Sequence, residues 1–179
     1  VKAGTEDTAD RVPCKNITIK KCTISGARAV CANYASRNAN NRKAANYHSN
    51  IVISNCTLTG KTSEALALFN TKSATVTNNT IVTNAPTSRD SYSIGLHVAY
   101  QPGSSPASSK DNKIILTGNT VKGGRQAIQV YSHTGTKFGA VTISNNKAYC
   151  KNGSGNAIKV NRAQTASLSQ SGNKTYGWK

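Results

Sequence analysis

Apolar and polar residues alternate one by one in short runs that recur along the whole chain. The clearest copy is residues 140–160, AVTISNNKAYCKNGSGNAIKV, in which two alternating runs flank an asparagine pair and a turn-rich connection. Similar phrases occupy residues 16–31, 50–68, 74–96, 113–130 and, in part, 166–175. A period of two is typical of β-strands with one buried face, and no segment keeps the 3.6-residue spacing of an amphipathic helix. The chain is therefore predicted to be an all-β repeat protein.

Turn residues divide the chain into six copies, marked by Cys22, Cys56, Asn79, Asn119, Asn146 and Asn173. Each copy holds three strand-like runs, which in residues 113–130 are 114–116, 120–121 and 127–130. This pattern predicts a single right-handed parallel β-helix of about six coils, in which equivalent strands pair about 4.8 Å apart. Asparagine tolerates the left-handed conformation of a sharp corner, and stacked asparagines can hydrogen-bond from coil to coil. We expect residues 1–15 to be an N-terminal connection that arrives from earlier coils and residues 16–179 to be the β-helix domain.

The charge is strongly unbalanced, with 23 Lys and Arg against 6 Asp and Glu and a formal net charge of +17. Either this is a solvated basic surface without a target, or the partner is a polyanion such as acidic polysaccharide, nucleic acid or an anionic envelope. Nucleic acid is disfavoured because the sequence has no zinc-finger spacing, RNP-type strand or recognition-helix pattern. No apolar run is long enough for a membrane-spanning helix.

The cysteines and acids point away from metal chemistry. The five cysteines form no CxxC or other ligand spacing, so we expect neither a metal nor another cofactor. Cys22 and Cys56 hold equivalent positions and should stack in neighbouring coils, either as small buried residues or as a disulfide. Glu64, Asp90 and Asp111 do not pair with another acid by repeat register, which disfavours both calcium binding and hydrolysis by paired carboxylates.

Over roughly residues 14–175 the repeat resembles that of the right-handed β-helix superfamily of pectate lyases, polygalacturonases, alginate epimerases and phage tailspikes. The resemblance implies the coil and a sugar chain bound along one strand face, but no particular reaction. Residues 1–24 are also similar to the stretch that follows the catalytic aspartates of polygalacturonase-type hydrolases, although residues 26–30, GARAV, replace the expected glycine- and histidine-containing motif. That likeness implies a C-terminal fragment of an enzyme without its catalytic acids.

The resemblance implies that the third strand of each copy forms the binding face, walled by loops at the insertions 34–49 and 99–111. With Val30, Leu66, Ile94, Ile128 and Ile158 inside, alternation predicts an outer column of Cys31, Ala67, Gly95, Gln129 and Lys159. The next outer column is predicted to be Asn33, Phe69, His97, Tyr131 and Asn161. A preceding column is uniformly small and leaves room for a ligand: Ala29, Ala65, Ser93, Ala127 and Ala157.

Elimination from a uronate needs a cation to neutralise the carboxylate and a base to remove the C5 proton. The candidate catalytic residues are Lys159, Tyr131, His97 and Arg125. The candidate substrate-binding residues are Gln129, Asn161, Arg162, Phe69, His133, Arg89, Arg42, Lys43 and Tyr47. We therefore expect a secreted or cell-surface protein that acts on an acidic polysaccharide, as a relative of polysaccharide lyases or glycoside hydrolases. The alternative is a non-catalytic polysaccharide-binding or phage-tail module, with a monomer favoured over a trimer.

Overall fold

Most of the described residues lie in parallel strands that stack in three sheets. The computed structural model describes residues 13–32, 47–85, 91–100, 112–133 and 135–178. Sheet A contains β1 (Lys15–Lys20), β4 (Ser49–Ser54), β7 (Ala74–Thr77), β10 (Lys113–Thr117), β13 (Phe138–Ser144) and β16 (Thr165–Ser171). Sheet B contains β2 (Thr23–Gly26), β5 (Thr57–Gly60), β8 (Thr80–Thr83), β11 (Thr120–Gly123), β14 (Lys147–Cys150) and β17 (Lys174–Gly177). Sheet C contains β3 (Val30–Ala32), β6 (Leu66–Phe69), β9 (Ile94–Tyr100), β12 (Gln126–Ser132) and β15 (Ile158–Val160).

This topology confirms the predicted β-helix. Each strand pairs in parallel with its equivalent one coil away, so five coils have three strands and a sixth adds β16 and β17. The two short 3-10 turns, Ser154–Asn156 and Arg162–Gln164, lie at corners beside β15. Residues 1–12 and most of the two predicted insertions, 33–46 and 101–111, lie outside the described residues.

The core is built from inward side chains that stack from coil to coil. In sheet A, four consecutive residues of one column are fully buried: Ile53, Val76, Leu116 and Ile143. Burying one such side chain stabilises the fold by about 1.5–3 kcal/mol. Aromatic rings extend the same core, because Tyr100 stacks on Phe138 with centroids 4.0 Å apart and meets Tyr47 edge-on at 5.5 Å.

The predicted asparagine stack is present between sheets A and B. The side-chain oxygen of Asn119 accepts the backbone N–H of Asn79 at 3.0 Å and its Nδ2 at 2.9 Å. Asn119 in turn donates its backbone N–H and Nδ2 to Asn146 Oδ1, at 2.9 and 3.0 Å. Asn173 continues the ladder below Asn146. Each step satisfies buried polar groups that a sharp corner would otherwise leave unpaired.

The left-handed backbone conformation belongs to the residue before each ladder position. These residues have φ between 53° and 69° and are Lys21, Asn55, Asn78, Gly118, Asn145 and Gly172. Glycine leaves room for the neighbouring coil at position 118, since an added Cβ there would meet the amide oxygen of Asn78 and that side chain would have to move. The sequence analysis expected one asparagine to form the corner and to hydrogen-bond to the next coil. In the structure the first of two adjacent residues forms the corner, and the second makes the hydrogen bonds.

Two cysteines replace asparagine at the start of this ladder. The backbone N–H of Cys22 donates to Cys56 Sγ at 3.4 Å, which confirms that they stack in neighbouring coils. Cys56 also donates its own backbone N–H to Asn79 Oδ1 at 2.8 Å. None of the five cysteines, all of which lie in the described residues, forms a disulfide, so the structure has the predicted stack without that bond.

Candidate functional site

The outer face of sheet C carries one continuous column of side chains. Strand pairing aligns one residue from each of the first five coils in this column, in the order Cys31, Ala67, His97, Gln129 and Lys159. In the neighbouring column Ala99 lies between Phe69 and Tyr131. The predicted assignments of Gly95 to the first column and His97 to the second were therefore wrong.

The error is a slip of two residues in β9. Leu96 rather than Ile94 stacks between Leu66 and Ile128. Ile94 instead pairs with Gln126. Ser93 is therefore not in the predicted column of small residues. Apolar residues follow one another at period two along β9, so a slip of two keeps the same faces in and out and the pattern alone cannot detect it. The correction brings the imidazole of His97 beside Gln129 instead of beside Tyr131.

A shallow cleft of about 280 Å³ lies at the last two coils of this face. Its lining contains four predicted site residues, Gln129, Tyr131, Lys159 and Asn161, together with Gln126, Val130 and Val160. Lys159 and Asn161 are exposed and Tyr131 is 36% exposed, so a cation, a phenol and amides are all open to solvent. Such a group set suits an anionic, hydroxyl-rich ligand.

Neighbouring residues hold the cleft in shape. Asn161 Oδ1 accepts the backbone N–H of Ala163 at 3.1 Å, which fixes its side chain at the start of a 3-10 turn. The ring of His133 meets that of Tyr131 edge-on at 4.8 Å. Burial and the nearby His97 lower the pKa of His133, so its ring favours the neutral form. Arg162 is exposed at the next corner.

Arg125 is anchored at the corner before β12. Its backbone N–H donates to Ser93 Oγ at 2.9 Å, and its side chain is half-buried. Arg125 is not part of the cleft lining. The structure therefore brings together Lys159 and Tyr131 from the predicted catalytic group, with Arg125 outside their cleft.

The first coils of the same face hold a buried ion-pair cluster around Glu64. Arg28 Nε lies 2.8 Å from Glu64 Oε2, and His97 Nδ1 lies 3.3 Å from Glu64 Oε1. The hydroxyl of Ser63 donates a short hydrogen bond to the same carboxylate. Burial alone would raise the pKa of Glu64, but hydrogen bonds from His97, Ser63 and Arg28 outweigh it and lower the pKa to about 2. The carboxylate is therefore ionised at neutral pH.

His97 and Phe69 are buried in this cluster and are not exposed on the outer face of sheet C. Phe69 is 6% exposed, and the imidazole meets its ring edge-on at 5.2 Å. The Arg28 guanidinium lies 6.0 Å from the centroid of the same ring and 5.9 Å from that of Tyr92. His97 Nε2 is buried and makes no hydrogen bond in the part of the chain that the structure describes. Neither His97 nor Phe69 lines the cleft.

The remaining predicted residues lie elsewhere. Tyr47 is 2% exposed and packs in the core against Tyr100, so its ring is not presented to a surface ligand. Arg89, Arg42 and Lys43 lie outside the described residues.

Sequence reasoning missed Glu64 and Arg28. Arg28 lies two residues before Val30, and Glu64 lies two residues before Leu66. Val30 and Leu66 pair on neighbouring strands of sheet C, so Arg28 and Glu64 occupy equivalent positions one coil apart. Equivalent positions one coil apart lie close together in a β-helix, so opposite charges at the two positions predict the pair.

No family model, curated protein or solved structure matches this chain. Strand pairing alone therefore carries the fold assignment. None of the described residues forms a helix long and apolar enough to cross a membrane.

Proposed function

We propose that this β-helix protein binds an acidic polysaccharide in the sheet C cleft and cleaves it by β-elimination. The observation that carries the proposal is the cleft itself, where Lys159 and Tyr131 are open to solvent beside the amides of Gln129 and Asn161. The net charge of +17 favours a polyanion. The likeness of the repeat to polysaccharide-acting β-helix enzymes agrees with this assignment. Because acidic polysaccharides occur in envelopes and matrices, a secreted or cell-surface location is part of the proposal.

The chemistry follows from the groups in the cleft. The Lys159 ammonium pairs with the uronate carboxylate, which makes the C5 proton more acidic. Tyr131 acts as the general base and removes that proton through its phenol oxygen, and the C–H electron pair forms a C4–C5 double bond as the C4–O bond breaks. The leaving oxygen then takes the proton back from the Tyr131 hydroxyl. Gln129 and Asn161 hydrogen-bond the sugar hydroxyls and hold the ring in place.

Elimination is favoured over hydrolysis because, among the described residues, no carboxylate lines the cleft. Hydrolysis uses two of them on either side of the scissile bond. Glu64 is the only Asp or Glu among the described residues, and it is buried and paired with Arg28.

Absorbance in the near ultraviolet tests the reaction, because the unsaturated product absorbs there and the substrate does not. We expect a rise with one polymer from a panel of polygalacturonate, alginate, hyaluronan and heparin. Tyr131→Phe should reduce the rate at least about 100-fold, the scale of a lost acid–base catalyst, and Lys159→Ala should also reduce it. Lys113→Ala, which removes an exposed charge from sheet A, is the matched control and should retain the wild-type rate. Equal rates in Tyr131→Phe and wild type would rule out this assignment.

Polysaccharide binding without catalysis is the second candidate. It is favoured by His97, whose imidazole is held by Glu64 and buried rather than turned to the cleft. A binding module gives salt-sensitive retention on an acidic polymer, weakened by Lys159→Ala, with no absorbance change. A tail-fibre module would also form trimers in a sedimentation experiment, whereas we expect a monomer.

A further inference from the structure

Sheet B carries a second cluster of cations and aromatic rings on the outer face of its last three strands, β11, β14 and β17. Lys122, Tyr149 and Tyr176 occupy one column on consecutive strands. The two tyrosine rings stack at 4.7 Å with planes 16° apart. Trp178 follows directly after β17, and the ammonium groups of Lys122 and Lys151 lie 5.7 and 4.8 Å from its ring centroid.

A second column brings two more lysines to the same place. In the first four coils this column is threonine, at Thr23, Thr57, Thr80 and Thr120. In the last two coils it changes to Lys147 and Lys174, which pair directly across neighbouring strands. We call the seven residues the sheet B patch: Lys122, Lys147, Lys151, Lys174, Tyr149, Tyr176 and Trp178.

The charge of this patch is uncompensated within the described residues. Like charges directly opposite on neighbouring strands, about 4.8 Å apart, repel one another. The single described carboxylate, Glu64, is engaged by Arg28 and His97 beside sheet C. A bound polyanion that places one negative group between Lys147 and Lys174 would relieve their repulsion.

We infer that the sheet B patch is a second binding site for acidic polysaccharide, separate from the sheet C cleft. An extended polymer lying along the axis meets an equivalent side chain at every coil, so its carboxylates or sulfates can pair with successive lysines. The phenol hydroxyls and ring edges of Tyr149 and Tyr176 offer hydrogen bonds and apolar contact to sugar rings. The inference rests on the proposed function for its polymer class, and it gives the protein an anchor away from its cleft.

The geometry favours a sugar chain over single-stranded nucleic acid. Nucleic-acid platforms stack bases on open ring faces. Here Tyr149 and Tyr176 stack on each other, and lysine ammonium groups already lie over the ring of Trp178. The groups that remain outward suit hydroxyls and carboxylates better than bases.

Tryptophan fluorescence tests the site directly, because Trp178 is the only tryptophan in the chain. Polygalacturonate or heparin should change its emission in a saturable way in wild type. The double variant Lys147→Ala/Lys174→Ala should weaken the apparent affinity about tenfold, as expected for two exposed ion pairs. The matched double variant Lys15→Ala/Lys113→Ala removes two charges from sheet A and should bind within about twofold of wild type.

Lys159→Ala separates this inference from the proposed function. An emission change that persists in Lys159→Ala and weakens in Lys147→Ala/Lys174→Ala supports the patch, even if no polymer is cleaved. An emission change that Lys147→Ala/Lys174→Ala leaves intact overturns the patch, even if the cleft cleaves its polymer. An equal response to neutral dextran, or a tighter response to an oligo(dT) strand, also overturns the assignment to acidic polysaccharide.

Discussion

Replacing Asn119 by alanine should cause one of the largest losses of stability that a single side chain of this protein can produce. Asn119 is 1% exposed and occupies the middle of the asparagine ladder. Its side chain accepts two hydrogen bonds from Asn79 and donates one to Val76 and one to Asn146. Alanine removes all four and leaves the backbone N–H of Asn79 buried without its acceptor.

The magnitude follows from these contacts. A buried hydrogen bond contributes about 1 kcal/mol net, and an orphaned buried donor costs about 1–3 kcal/mol. Asn119→Ala should therefore lower the free energy of unfolding by about 4 kcal/mol. Asn173, at the half-buried end of the ladder, loses three bonds on replacement, so Asn173→Ala should cost about 2 kcal/mol. Exposed Asn152 is the matched control, and Asn152→Ala should change stability by no more than about 0.5 kcal/mol.

Urea unfolding followed by circular dichroism measures these differences. With a urea slope of about 2 kcal/mol per molar, Asn119→Ala should lower the midpoint by about 2 M. Fluorescence of Trp178 reports the last coil, and agreement of the two probes shows that the coils unfold together. A loss for Asn119→Ala no larger than that for Asn152→Ala would refute the ladder as a source of stability.

Two further predictions concern buried polar groups. The pKa of Glu64 is lowered to about 2, below its usual value of about 4.3, so its contribution to stability is present above pH 4.3 and is lost as pH falls through 2. We expect stability to fall by about 3 kcal/mol across this window in wild type and to stay flatter in Glu64→Gln, in urea melts at several pH values; parallel pH curves would contradict this. Cys56→Asn should extend the ladder, because the new amide can accept from the backbone N–H of Cys22 and donate to the carbonyl of Ile19, the contacts that Cys56 Sγ now makes. Its free energy of unfolding should stay equal to wild type or rise by up to about 1 kcal/mol, whereas a loss above about 1.5 kcal/mol would show that the site cannot hold an asparagine.

The coil was predictable because its signals are local. Each strand is a short alternating run, and each corner has an asparagine, glycine or cysteine at a fixed place in the repeat. The stack through Asn79, Asn119 and Asn146 follows from aligning these corners, since equivalent residues of successive coils must lie about 4.8 Å apart.

The site was predictable only where the register was unambiguous. Gln129 and Lys159 fell in the right column because Ile128 and Val130 pair with Ile158 and Val160, the alignment that the sequence analysis used. His97 did not, because apolar residues at alternate positions of β9 allow two alignments that differ by two residues. Burial of the imidazole against Phe69 depends on the packing of three coils, which the alternation of one strand does not contain.

Protection of individual lysines from acetylation tests the central claim most directly. Peptide mass spectrometry would give the acetylation rate of Lys159 in the cleft and of Lys113 on sheet A, with and without the acidic polymer that binds. Polymer in the sheet C cleft should slow acetylation of Lys159 several-fold and leave Lys113 unchanged, and a neutral dextran should protect neither. Equal rates at Lys159 with and without a polymer that the protein retains would show that the cleft is not the binding site.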